Sequence, residues 1–132
     1  MKKVLQDILW VAAGGAIGAS MRHGTNQTVF ELMGEEYFFV ATSIENILGS
    51  FLIGIFYTIL SKRSVKYRNA NLFLLTGIIG SYTTYSGFMI DSLLLYSESI
   101  PLLLTYFLGQ LFAGIVALIA GIYLMKKYYS RS

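Results

Sequence analysis

Four apolar stretches, each close to the length needed to cross a lipid bilayer, fill nearly all of this 132-residue chain. A hydrocarbon core about 30 Å thick takes roughly 20 helical residues to span. The stretches run over about residues 4–21, 37–60, 72–95 and 102–125, which predicts an all-α integral membrane protein of four transmembrane helices forming one domain. Backbone polar groups leave no other spanning solution for runs of this length, because lipid offers them no partners. Composition agrees: 55% of residues are hydrophobic, 13% are charged, and mean hydropathy is +0.62. The connections are short. Arg22 to Glu36 reads as a polar, acidic loop, Ser61 to Asn71 as a basic one, and Tyr96 to Pro101 as a tight turn, with Pro101 placed at the start of the last helix.

Charge fixes the expected topology. With four spans, the amino end, the second connection and the carboxyl end share one side. Lys2, Lys3, Lys62, Arg63, Lys66, Arg68, Lys126, Lys127 and Arg131 fall there, nine of the ten Lys and Arg, leaving Arg22 for the other side. Cytoplasmic loops carry that excess, so both termini are expected in the cytoplasm and the protein in the cell membrane. The formal charge of +3 is thereby accounted for by topology and points away from nucleic acid. Asp7 interrupts the first apolar run, which therefore reads as a membrane helix and not as a cleaved leader. Cysteine is absent and His23 is the single histidine, which leaves little for thiolate, metal or acid–base chemistry.

Small residues suggest where helices meet. Gly14 and Gly18 form a GxxxG pair, and Ser50, Gly54, Ala113, Ala117 and Gly121 repeat the pattern on the second and fourth spans. Asn26-Gln27-Thr28 matches a glycosylation acceptor, a motif so short that chance accounts for it. Polar residues inside spans carry the functional signal, since each is costly unless it pairs, meets water or lines a path. On the second span Thr42, Ser43, Glu45, Asn46 and Ser50 interrupt the apolar run. Interhelical hydrogen bonding is one reading of Asn46. Glu45 could be protonated, face water or pair with Arg22. On the third span, the run from Gly77 to Phe88 holds three glycines, two tyrosines and the hydroxyls of Ser81, Thr83, Thr84 and Ser86. A helix break there would free backbone carbonyls, natural ligands for a hard cation. A continuous helix whose hydroxyls bond back to its own carbonyls is the alternative.

These residues resemble a family over essentially the whole chain, the Fluc or CrcB fluoride channels. Gly14 to Arg22 is similar to the family's glycine-rich first-helix signature, Asn46 to Gly54 to its second-helix motif, and Gly80 to Phe88 to its third-helix motif, G-G-x-T-T-F-S-T-F. The resemblance implies an antiparallel dimer with a break in the third helix, a structural sodium ion at the dimer interface and two narrow pores. It places the backbone carbonyls of Gly80 and Thr83 on sodium. Asn46 becomes a hydrogen-bond donor to fluoride, Phe88 an electropositive ring edge facing the anion, Thr84 and Ser86 hydroxyl donors, and Arg22 a positive charge at a pore entrance. No catalytic residue is required.

Departures from the pattern bear on the same sites. Tyr85 replaces the family's first phenylalanine and Gly87 its second threonine. Tyr106 matches the family's tyrosine, whereas Gln110 and Gly114 stand where serines are expected; Asp91 stands where glutamate is common, and Glu45 replaces an apolar residue. Homodimeric members insert in both orientations and need balanced charge. The one-sided charge here, with the pore departures, favours half of a heterodimer whose partner is a homologous subunit of opposite topology. Two other readings are a proton-coupled multidrug transporter using Glu45, a family whose essential glutamate belongs midway along the first helix where this chain has Gly14 to Gly18, and a structural subunit with a silent pore.

Overall fold

The computed structural model describes residues 1–61 and 67–130, which are helical almost throughout, with no strand among them. Helix α1 (Lys2–Met33) is followed by a 3-10 turn (Glu35–Tyr37) and α2 (Phe38–Ser61). The third apolar stretch is divided: α3 (Arg68–Asn71), a π-helical segment (Leu72–Ile79), α4 (Gly80–Tyr82) and α5 (Tyr85–Glu98). Helix α6 (Ile100–Tyr129) closes the chain. Among the described residues, α1, the run Glu35–Ser61 and α6 are each long and apolar enough to cross a membrane. Of the basic residues that set the expected topology, Lys62, Arg63, Lys66 and Arg131 lie outside the described residues.

Helix α1 overturns one expectation. The segment from Arg22 to Met33 is helix and not loop. Its polarity marks where burial in lipid would end, not where helical hydrogen bonding ends. Thr25 Oγ1, Asn26 Nδ2 and Thr28 Oγ1 bond back to the carbonyls of Met21, Arg22 and Gly24. The helix stops at Gly34, whose φ of 94° lies in the region that favours glycine. The expected turn over 96–101 shrinks to Ser99, whose side chain accepts from the Leu102 amide at 3.4 Å, with Pro101 in the first turn of α6.

Two close helix pairs organise the bundle, α1 on the π-helical segment and α2 on α6. Both rest on missing side chains. A Cβ on Gly14 would overlap the Phe73 carbonyl oxygen, and one on Gly18 would overlap that of Ile78. Gly54 and Gly121 face each other in the same way, against the carbonyls of Leu118 and Phe51. In lipid no hydrophobic force drives helices together, so this backbone approach supplies van der Waals contact instead. Arg68 meets Asp7 at 2.6 Å, placing the start of the third stretch beside the amino end of α1. Much apolar surface stays uncovered: Phe112 is 72% exposed and Leu93 69%. Faces of this kind are finished by lipid or by another subunit.

Candidate functional site

Two residues interrupt the third stretch. Thr83 (φ −77°, ψ 153°) and Thr84 (φ −145°, ψ 113°) are extended, between the end of α4 and the start of α5. Such backbone is tolerated at membrane depth only where protein satisfies it or a cavity hydrates it. Here Asn46 on α2 does much of that. Its Oδ1 accepts from the Thr84 amide at 2.8 Å and its Nδ2 donates to the Thr84 carbonyl at 3.0 Å. Nδ2 also donates to Gln110 Oε1 on α6 at 2.8 Å, and Gln110 Nε2 donates to Ser43 Oγ at 3.2 Å. Thr84 Oγ1 caps α5 by accepting from the Gly87 amide at 2.9 Å. Gly49 lets the strand-like segment lie against α2, since a Cβ there would overlap the Thr83 methyl group.

The pattern has a consequence for two carbonyls. In an unbroken helix the Thr84 amide would serve the Gly80 carbonyl and the Gly87 amide would serve that of Thr83. Both amides are diverted, one to the Asn46 side chain and one to the Thr84 side chain. Gly80 and Thr83, the two expected cation ligands, therefore lose their helical partners, and Gly80 is exposed. Neutral backbone oxygens of this kind are the ligand type that hard cations take.

A cleft of about 390 Å³ opens beside the break, lined in part by Asn46, Thr83, Thr84, Tyr85, Phe88, Gln110 and Gly114. The Phe88 ring is 3% exposed, 4.9 Å from Phe107 and 5.5 Å from Tyr106 between centroids. Tyr85 is by contrast exposed, 6.3 Å from Phe88. Thr84 Oγ1 lies 3.2 Å from Ser86 Oγ.

On the other side of Thr84 lies a recess of about 360 Å³, which Arg22, Asn26, Glu45, Ser86 and Asp91 help to line. Thr84 is common to the recess and the cleft. Glu45 is 1% exposed; Asn26 Nδ2 donates to its Oε1 at 2.8 Å, and its Oε2 has no hydrogen-bond partner among the described residues. Tyr106 donates its hydroxyl to Asp91 Oδ2 at 3.0 Å. The structure thus gathers Asn46, Thr84, Phe88 and Tyr85 at the cleft and Arg22, Thr84 and Ser86 at the recess. Tyr106 packs behind Phe88 and turns its hydroxyl to Asp91. Sequence reasoning missed Asn26 as the partner of Glu45, because it placed Asn26 in a loop and not on α1. It also missed the link from Asn46 through Gln110 to Ser43.

Comparison with known proteins agrees over the length of the chain. A family model described as CrcB-like protein, Camphor Resistance (CrcB), matches residues 9–122. The chain is 37% identical over 122 residues to a protein of Mesorhizobium japonicum named fluoride-specific ion channel FluC, covering 92% of this chain and 97% of that one. A FluC of Cereibacter sphaeroides is 40% identical over 95 residues, 72% of this chain and 73% of its own length. A protein of Nitrobacter hamburgensis named FluC 2 is 34% identical over 121 residues, 91% and 97% of the two chains. With helices that suit a multi-pass membrane protein and a match spanning nearly every one of them, the chain belongs to the CrcB family.

Proposed function

We propose that this chain is a subunit of a fluoride-selective channel that exports cytoplasmic fluoride passively, working as one half of an antiparallel heterodimer. The observation that carries the reading is the near full-length similarity to proteins named fluoride-specific ion channels. The site chemistry supports it. Fluoride is small and strongly hydrated, so a path for it must replace water with close donors while staying too narrow for larger halides. Carboxamide, hydroxyl and aromatic-edge groups of Asn46, Thr84, Ser86 and Phe88 are of that kind. A negative-inside potential drives an anion outward by about 2.3 kcal/mol per 100 mV, so no energy-coupling residue is needed.

Sodium enters as a structural ion held by the Gly80 and Thr83 carbonyls of two subunits. The diverted amides of Thr84 and Gly87 support this donor set. When bound there, the ion would supply fixed positive charge, and the Gly80 and Thr83 carbonyls would be the groups that hold it. The heterodimer is supported by the nine-to-one split of basic residues, which favours one orientation with both termini inside. Fluoride efflux from liposomes tests the proposal. The chain alone is expected to conduct poorly, and adding a homologue of opposite charge bias restores flux. Full flux from the single chain, with matching fluoride resistance in cells lacking every homologue, would sink the heterodimer and leave the channel. No fluoride flux in any pairing would sink the channel itself.

A further inference from the structure

Asn46 has two N–H bonds to give, and the protein takes both. One goes to the Thr84 carbonyl at 3.0 Å and belongs to the clamp on the broken backbone. The other goes to Gln110 Oε1 at 2.8 Å. Gln110 is 9% exposed and is held at its far end by Ser43 Oγ at 3.2 Å. Its carbonyl oxygen therefore occupies the place from which an anion would accept the Asn46 proton, in the wall of the cleft that also holds Phe88.

We infer that Gln110 is a resident competitor for the anion-binding N–H of Asn46, so that the path along this chain carries fluoride only when the Gln110 side chain lets go. The inference rests on the fluoride-channel reading. An anion makes a stronger, charge-assisted hydrogen bond than a neutral amide oxygen does, so fluoride can displace Gln110. Displacement leaves Oε1 without a donor in a water-poor wall, which opposes the exchange. Gly114 lies one turn along α6 on the same cleft, near Ser50 Oγ, and its missing side chain leaves room for the displaced carboxamide. A serine at position 110 could not act in this way. It is too short to hold Asn46 from α6, and its hydroxyl can turn to donate to an anion.

Flux and a direct view of Asn46 test this together, using the full chain in liposomes alone and with the oppositely biased homologue. A hydrogen bond between helices in lipid shifts an equilibrium by roughly three- to tenfold, and Gln110→Ser should raise fluoride efflux by about that factor while chloride stays excluded. In a nitrogen-labelled sample titrated with sodium fluoride, the Asn46 side-chain amide resonance should shift at lower fluoride in Gln110→Ser than in the parent. Gln110→Ala serves the same comparison if the serine variant does not assemble. Unchanged or lower flux from a well-assembled variant, or an Asn46 resonance that responds at the same fluoride concentration in both, overturns the inference. Either result in a dimer that still carries fluoride leaves the channel reading standing; absence of fluoride flux from parent and variants in every pairing removes both.

Discussion

Replacing Asn46 by leucine should damage stability and not only conduction, because its carboxamide holds the backbone where the third stretch stops being helical. The substitution keeps the branched shape of the side chain but exchanges its polar end for two methyl groups, removing three hydrogen bonds, at 2.8, 3.0 and 2.8 Å. The bond to Gln110 is an ordinary interhelical one, about 0.6 kcal/mol on average in membrane proteins. The two to Thr84 matter more, since Thr84 is buried and its amide and carbonyl would be left unpaired, at about 1–3 kcal/mol each. The total, roughly 3–7 kcal/mol, is a large part of the usual 5–15 kcal/mol margin. Asn46→Asp should separate the two roles. A carboxylate still accepts from the Thr84 amide, so part of the clamp survives, while negative charge in the cleft repels fluoride. Unfolding in lipid bicelles would measure the stability change, and hydrogen exchange at the Thr84 amide would locate it. Leucine should lower stability by several kcal/mol and expose that amide; aspartate should lower it less and abolish flux. Equal protection of the Thr84 amide in the parent and in Asn46→Leu would refute the clamp.

Orientation can be read from single cysteines, which the chain otherwise lacks. Lys3→Cys and Ser130→Cys should resist an external membrane-impermeant thiol reagent and Glu35→Cys should react, whereas equal labelling of all three from outside would overturn a fixed orientation. Sodium can be removed: reconstitution in a large organic cation in place of sodium should weaken dimers and reduce flux, and sodium restores both. Thr83→Ser should leave this sodium response unchanged, because the proposed ligand is a backbone carbonyl. A channel indifferent to sodium through prolonged exchange would remove the ion from the account.

How much of this was legible beforehand follows from the kind of signal each feature leaves. Long apolar runs and one-sided charge are properties of composition along the chain, so the spans could be placed without knowing any contact. Helix-packing glycines were also visible, because close backbone approach demands a residue type; Gly14 and Gly18 lie on one pair and Gly54 and Gly121 on the other. The end of α1 was misplaced for a related reason. Hydropathy reports where burial in lipid stops, whereas Gly34 is what stops the helix, twelve positions after the charge at Arg22.

The polar residues that meet at the cleft stood out singly in the sequence, but their hydrogen-bonded circuit did not. Asn46 is a polar residue in an apolar run, and Gln110 is an amide where a hydroxyl is expected, so each stands out singly. Nothing in their spacing says that they share a proton, because they sit on different helices, 64 positions apart. The same holds for Asn26 and Glu45. In a membrane bundle such pairs matter more than in water-exposed proteins, since every donor engaged by the protein is one withheld from the ion. In the proposed channel Asn46 would have to serve the backbone, Gln110 and an anion, and its two N–H groups cannot serve all three at once. Which of them yields decides whether the same side chain acts as a strut or as part of a conducting path.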